Sequence, residues 1–157
     1  MGNENGLTDR EAAIDAIIRF VNSLDDGDSE LLSSALTEDV VVDLTPFNKS
    51  GFNFSVLASK ASVIDRMIPF VGTGLDTTHH TSNFRVKVTA DTATLSCHVL
   101  AQHFRKDEGP LDAFQDCYMM GNRYQANVVR DGALWKIEKI VISAAWTQGN
   151  IGVLQAN

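Results

Sequence analysis

The sequence predicts an α+β fold in which N-terminal helices pack on a strongly curved, mainly antiparallel sheet, making a cone with an apolar interior. Two observations carry this expectation. Helical patterns come first, followed by one strand, a further helix and then four long strands that alternate in polarity. A chain of 157 residues, 44% hydrophobic and 21% charged, also has the length and composition of one globular domain. We place that domain at 4–148 and treat 149–157 as a C-terminal tail without a readable pattern.

Thr8-Asp9-Arg10-Glu11 is a capping box placed before an apolar-periodic run, so a helix starts there. Its stripe passes through Ile14, Ile17, Ile18, Val21 and Leu24, and Gly27 supplies a C-terminal stop. Asp28 caps a short second helix over Ser29 to Leu36. Glu38 to Thr45 alternates as a strand until Pro46 interrupts it, and Asn48 to Ser55 reads as loop. A third helix runs from about Ser55 or Ser59 to Phe70, closed by Pro69, Gly72 and Gly74.

Thr77 to Phe104 predicts a hairpin turning at Ala90-Asp91, in which paired residue numbers sum to 181. In its first strand His80 shares a parity with Phe84, Val86 and Val88, and therefore points inward, leaving His79 outward. In its second, His103 shares a face with Leu95, Cys97, Val99 and Ala101, and His98 points out. The register sets Ala101 opposite His80 and brings His103 diagonal to it, two imidazoles on one apolar surface. A slip of one residue would reverse this parity. Lys106 to Asp112 follows as a polar turn with Gly109-Pro110, and then a second long hairpin, Tyr118 to Arg130 and Ala133 to Trp146, around Asp131-Gly132.

A net charge of −7, with thirteen scattered Lys and Arg, disfavours nucleic acid and anionic membranes as partners. There is no apolar run of membrane-spanning length and no signal-peptide pattern at the N-terminus, so a cytoplasmic location is expected. Cys97 and Cys117 fit no metal-ligand spacing and are expected reduced and buried. On the last strand, Leu134, Ile140, Ile142, Ala144 and Trp146 share one parity and Trp135, Ile137 and Val141 the other. Apolar residues on both parities imply a surface that helices on one side leave uncovered, hence a homo-oligomer.

The residues alone allow two readings of His80 and His103: a paired acid–base site, or core histidines satisfied by backbone or hydroxyl groups. Asp25 follows the apolar stripe of the first helix, one step of four from Val21, yet it also belongs to the polar turn Asp25-Asp26-Gly27-Asp28. Tyr124 lies on the face of Asn122, Ala126 and Val128.

Taken together, the Thr78-His79-His80 stretch with Asn83-Phe84-Arg85-Val86 after it, Ala101-Gln102-His103, Gly121-Asn122-Arg123-Tyr124, and Val129 to Ile137 resemble the SnoaL-like branch of the NTF2-like superfamily, the branch of scytalone dehydratase and the bile-acid dehydratases. The resemblance implies a catalytic set of His80, His103 and Asp25, with Tyr124 or Asn122 at the substrate. Leu24 and Leu44 fall where the scytalone dehydratase pattern has tyrosines, which argues against scytalone itself and implies a greasier pocket. Action without metal or other cofactor is implied as well, although His80, His103 and Asp25 would suffice in number for a zinc site. The implied activity is a lyase or isomerase, whether dehydratase, double-bond isomerase or cyclase, working by His/Asp general acid–base catalysis on a hydrophobic oxygenated small molecule such as a polyketide or terpenoid intermediate. A non-catalytic binding or assembly module is the alternative, and the assembly implied is a trimer or dimer.

Overall fold

A computed structural model describes residues 6–107 and 116–155. The expected polar turn with Gly109-Pro110 therefore falls largely outside the described residues. Helix α1 spans Asp9–Asp26, α2 Ser29–Ala35 and α3 Lys60–Met67; the strands are β1 Leu36–Asp43, β2 Leu75–Thr89, β3 Thr92–Arg105, β4 Cys117–Asp131 and β5 Leu134–Gly149.

The α+β order holds, but the strongly curved cone does not. The strands form one open, mixed sheet in the order β1-β5-β4-β3-β2, with β1 parallel to β5 and the remaining pairs antiparallel. Its two edges, β1 and β2, remain apart. The apolar interior is enclosed by helices laid on one face rather than by a sheet closing on itself.

Local chemistry explains the helix ends. Thr8 Oγ1 accepts from Glu11 N while Glu11 Oε2 accepts from Thr8 N, and Gly27 ends α1 at φ 67°. The buried stripe is rotated from the expected one: Phe20 is buried, whereas Ile18 is 36% exposed. Asp28 caps α2 through the N–H groups of Glu30 and Leu31. Ser59 and Ser62 form the capping box of α3. That helix stops at Met67 rather than Phe70, because Pro69 lacks an N–H and the chain continues as a π-helical turn over Ile68–Gly72. The segment read as loop after Pro46 begins as a 3₁₀ helix, Thr45–Ser50, and drives Phe47 inward.

The turn at Ala90-Asp91 forms as expected, with Thr89 paired to Thr92 and Val88 to Ala93. The register then slips between Ser82 and Arg85, where Asn83 adopts φ 56°. Two residues of β2 oppose one of β3 there, a bulge that asparagine tolerates. Upstream of it His79, not His80, faces Ala101.

Two further shifts act on β5, opposite Gly121/Asn122 and Asn127/Val128. The second lets Trp135 and Ile137, then Ile140 and Ile142, all lie buried although their parities differ. Apolar residues of both parities on β5 are thus no sign of two apolar faces, and the expectation built on them loses its premise. Trp146 is 46% exposed and remains on the solvent side. No helix among the described residues is long and apolar enough to cross a membrane.

Candidate active site

The interior between helices and sheet holds a cavity of about 70 Å³ whose walls are mainly apolar and aromatic. Leu24, Leu44, Phe47 and Ile142 form much of its lining, and His79, His103, Asn122, Tyr124 and Arg66 bring polar groups to it. The chain after β1 contributes Phe52 and Phe54, which stack with centroids 5.1 Å apart, and Phe70 meets Phe54 edge-on at 6.3 Å. These rings give the cavity an aromatic cover contributed from outside the sheet.

Asp25 stands in the last turn of α1 and reaches β2. Its Oδ1 accepts from Thr77 Oγ1 at 2.8 Å and lies 2.6 Å from His79 Nδ1, while its Oδ2 accepts from His79 N at 2.9 Å. Burial opposes the charged carboxylate, but the ring and backbone N–H of His79 and the Thr77 hydroxyl outweigh it and hold the pKa below the ordinary value. A carboxylate accepts only, so the proton of the contact belongs to His79 Nδ1, and in the neutral ring the lone pair is then on Nε2. The His79 side chain is 5% exposed.

His103 is buried on β3, its ring centroid 6.0 Å from that of His79 and nearly perpendicular to it. Its Nδ1 lies 2.9 Å from Tyr118 O, and a carbonyl there fixes the Nδ1–H tautomer. Burial pushes its pKa down to about 4 against the opposing pull of the Tyr118 carbonyl, so the ring is neutral at pH 7 with Nε2 as acceptor. Burial raises the Tyr124 phenol, with Cys97 and Asp25 acting in the same direction, and keeps it protonated. Asn122 is 4% exposed and its Oδ1 has no hydrogen-bond partner.

The expected residues are thus partly reassembled. His103, Asp25, Asn122, Tyr124, Leu24 and Leu44 converge, with Asp25 reaching the cavity through the imidazole it holds. His80 does not: it is exposed, opposite Leu100, because the bulge at Asn83 reverses the parity that the lower part of the strand sets. His79 replaces it. Also unforeseen were the phenylalanines of the supposed loop, Arg66 at the rim, and Leu154 from a 3₁₀ helix in the tail. The only advance sign of His79 was an asparagine in mid-strand, a residue that accommodates positive φ. Among the described residues, no group of three or more His, Cys, Asp or Glu side chains is placed to hold a metal ion.

A larger groove of about 600 Å³ lies on the solvent face of the sheet. Arg85, Lys87, Thr94, Ser96, Gln125 and Asn127 line it, and it offers none of the paired acid–base groups found inside.

Residues 5–141 match the SnoaL-like domain family. The chain belongs to this family. A terrestric acid biosynthesis cluster protein of Penicillium crustosum is 33% identical over 150 residues, covering 94% of this chain and 90% of that protein. Among solved structures, a protein of Kribbella flavida aligns with a TM-score of 0.78 at 18% identity, covering 94% of this chain and 97% of that one. A hexachlorocyclohexane dehydrochlorinase of Novosphingobium barchaimii aligns with a TM-score of 0.71 at 16% identity, covering 91% and 90%. At such identities these structures report the shared fold.

Proposed function

We propose that this SnoaL-like protein is a cofactor-independent lyase or isomerase that acts on a hydrophobic oxygenated small molecule. The observation that carries the reading is the His79–Asp25 pair set in the wall of an apolar cavity. His79 Nε2 takes a proton from a carbon beside a carbonyl, and Asp25, hydrogen-bonded to the opposite ring nitrogen, stabilises the imidazolium that forms. The imidazolium then returns that proton. Delivery to a departing hydroxyl completes a dehydration, and delivery to another carbon of the same substrate completes a double-bond isomerisation or ring closure. No electrons are exchanged with a second reagent in either case.

The neighbouring groups suit the oxygen atoms of such a substrate. The Tyr124 phenol, kept protonated, donates to the developing oxyanion. Asn122 Oδ1 and His103 Nε2 accept from substrate hydroxyls. Burial opposes protonation of His103, which suits it to accept a hydrogen bond rather than to carry the proton.

The name of the Penicillium relative refers to a biosynthesis cluster, and the dehydrochlorinase shares this fold. Both support an elimination or related rearrangement on a secondary metabolite, for which we propose a polyketide or terpenoid intermediate. A homo-oligomer, trimer or dimer, is proposed on the resemblance to the scytalone dehydratase branch alone. Light scattering at a multiple of 17.1 kDa would agree, and a monomer mass would refute it.

The test of function is to collect the metabolite that accumulates when the gene is disrupted and incubate it with the purified protein in D₂O without cofactor. Conversion with deuterium exchanged at the reacting carbon is expected. Tight binding without turnover would instead identify a carrier or assembly module.

A further inference from the structure

Arg66, near the C-terminal end of α3, lines the inner cavity and also a neighbouring space of about 240 Å³ bounded by Asp65, Pro69, Phe70, Leu75 and Leu154. Among the described residues it is the one arginine or lysine on the inner wall, in a chain of net charge −7. Its guanidinium carbon lies 5.9 Å from the centroid of the Phe70 ring, itself part of the aromatic cover. Among the described residues Arg66 forms no ion pair or side-chain hydrogen bond, although Asp65 adjoins it in sequence. Contact with an aromatic ring leaves the N–H groups of a guanidinium available for a planar, two-oxygen partner.

We propose that Arg66 is the carboxylate-recognition residue of this pocket, and that the substrate is an acid whose apolar body enters the cavity while its carboxylate stays on the guanidinium at the rim. This rests on the reading of the cavity as the substrate site. A carboxylate fits better than a phosphate, because one guanidinium fork matches two coplanar oxygens and, among the described residues, the lining offers no second permanent cation for a doubly charged group. Asp25 cannot serve as counter-charge to the arginine, being held by His79 and Thr77. Anchoring one end of the substrate at the rim fixes which carbon arrives at His79, so Arg66 acts as a specificity-determining residue.

The experiment compares two nearly isosteric probes whose apolar bodies fit the cavity, 3-methylbutanoate and 3-methylbutanamide, by calorimetric titration at low salt. The wild type should bind the acid about tenfold more tightly than the amide, as expected for a partly desolvated charge-assisted contact. Arg66→Gln should lose that preference through weaker acid binding alone, and Arg66→Lys should keep part of it. Asp25→Asn should keep it, so a failure of the acid–base reading is seen in turnover and leaves this result standing. Equal affinities in the wild type, no binding of either probe, or a preference that survives in Arg66→Gln would overturn the assignment. A preference lost in His79→Ala but not in Arg66→Gln would place the carboxylate on the imidazole and overturn it too.

Discussion

His79 Nδ1 lies 2.6 Å from Asp25 Oδ1, a contact that joins the last turn of the first helix to the edge strand of the sheet. Two more hydrogen bonds, from Thr77 Oγ1 and His79 N, hold the carboxylate in place against the imidazole. Replacing Asp25 by asparagine puts an amide where only an acceptor serves, and the ring loses both its orientation and the charge that stabilises its protonated form. Turnover by Asp25→Asn should fall by about a hundredfold or more with the fold retained. Steady-state kinetics beside circular dichroism will check this.

The buried His103 makes stability depend on pH. Its folded pKa of about 4 lies below the ordinary 6.5, so between these values the unfolded chain binds a proton that the folded chain refuses. The contribution is complete above 6.5 and is lost as pH falls toward 4, a loss on the order of 3 kcal/mol for a shift of this size. Asp25, whose pKa is lowered, adds a loss of the same sign at still lower pH. Urea unfolding across this range should show a shallower decline in His103→Gln than in the wild type.

Gly121 and Trp146 form a second testable pair. They are partners across β4 and β5, and a Cβ on Gly121 would stand 2.2 Å from the indole Nε1 and Cε2 of Trp146. The glycine is needed for the space that the ring fills. Gly121→Ala should destabilise by about 1–3 kcal/mol, as overpacking does. Most of that cost should disappear in the double variant with Trp146→Ala, measured by urea unfolding in a double-mutant cycle.

Much of the fold was legible because its signals are local. Capping boxes at Thr8 and the turn at Ala90-Asp91 depend on neighbours in sequence, and both form as read. His103 and Tyr124 were also legible, since β3 and β4 pair with one another without a register shift. His79 was not. Parity carries information along a strand only until a bulge, and the one at Asn83 lies between the apolar residues that set the pattern and the histidines to which it was extended. The same physics misled the reading of β5, where Ile137 and Ile140 have different parities and a shared interior. The openness of the sheet and the phenylalanine cover escaped because they depend on which elements meet, which periodicity does not encode.

The adjacent histidines provide the most direct test of the central claim. The measurement is kcat/KM of His79→Ala and His80→Ala on the metabolite that accumulates without the protein, with both variants shown to be folded. His79→Ala should lose about 10²–10⁴-fold, the range for removing a general base, and His80→Ala should match the wild type. Wild-type turnover in His79→Ala, or its loss in His80→Ala alone, would contradict the account.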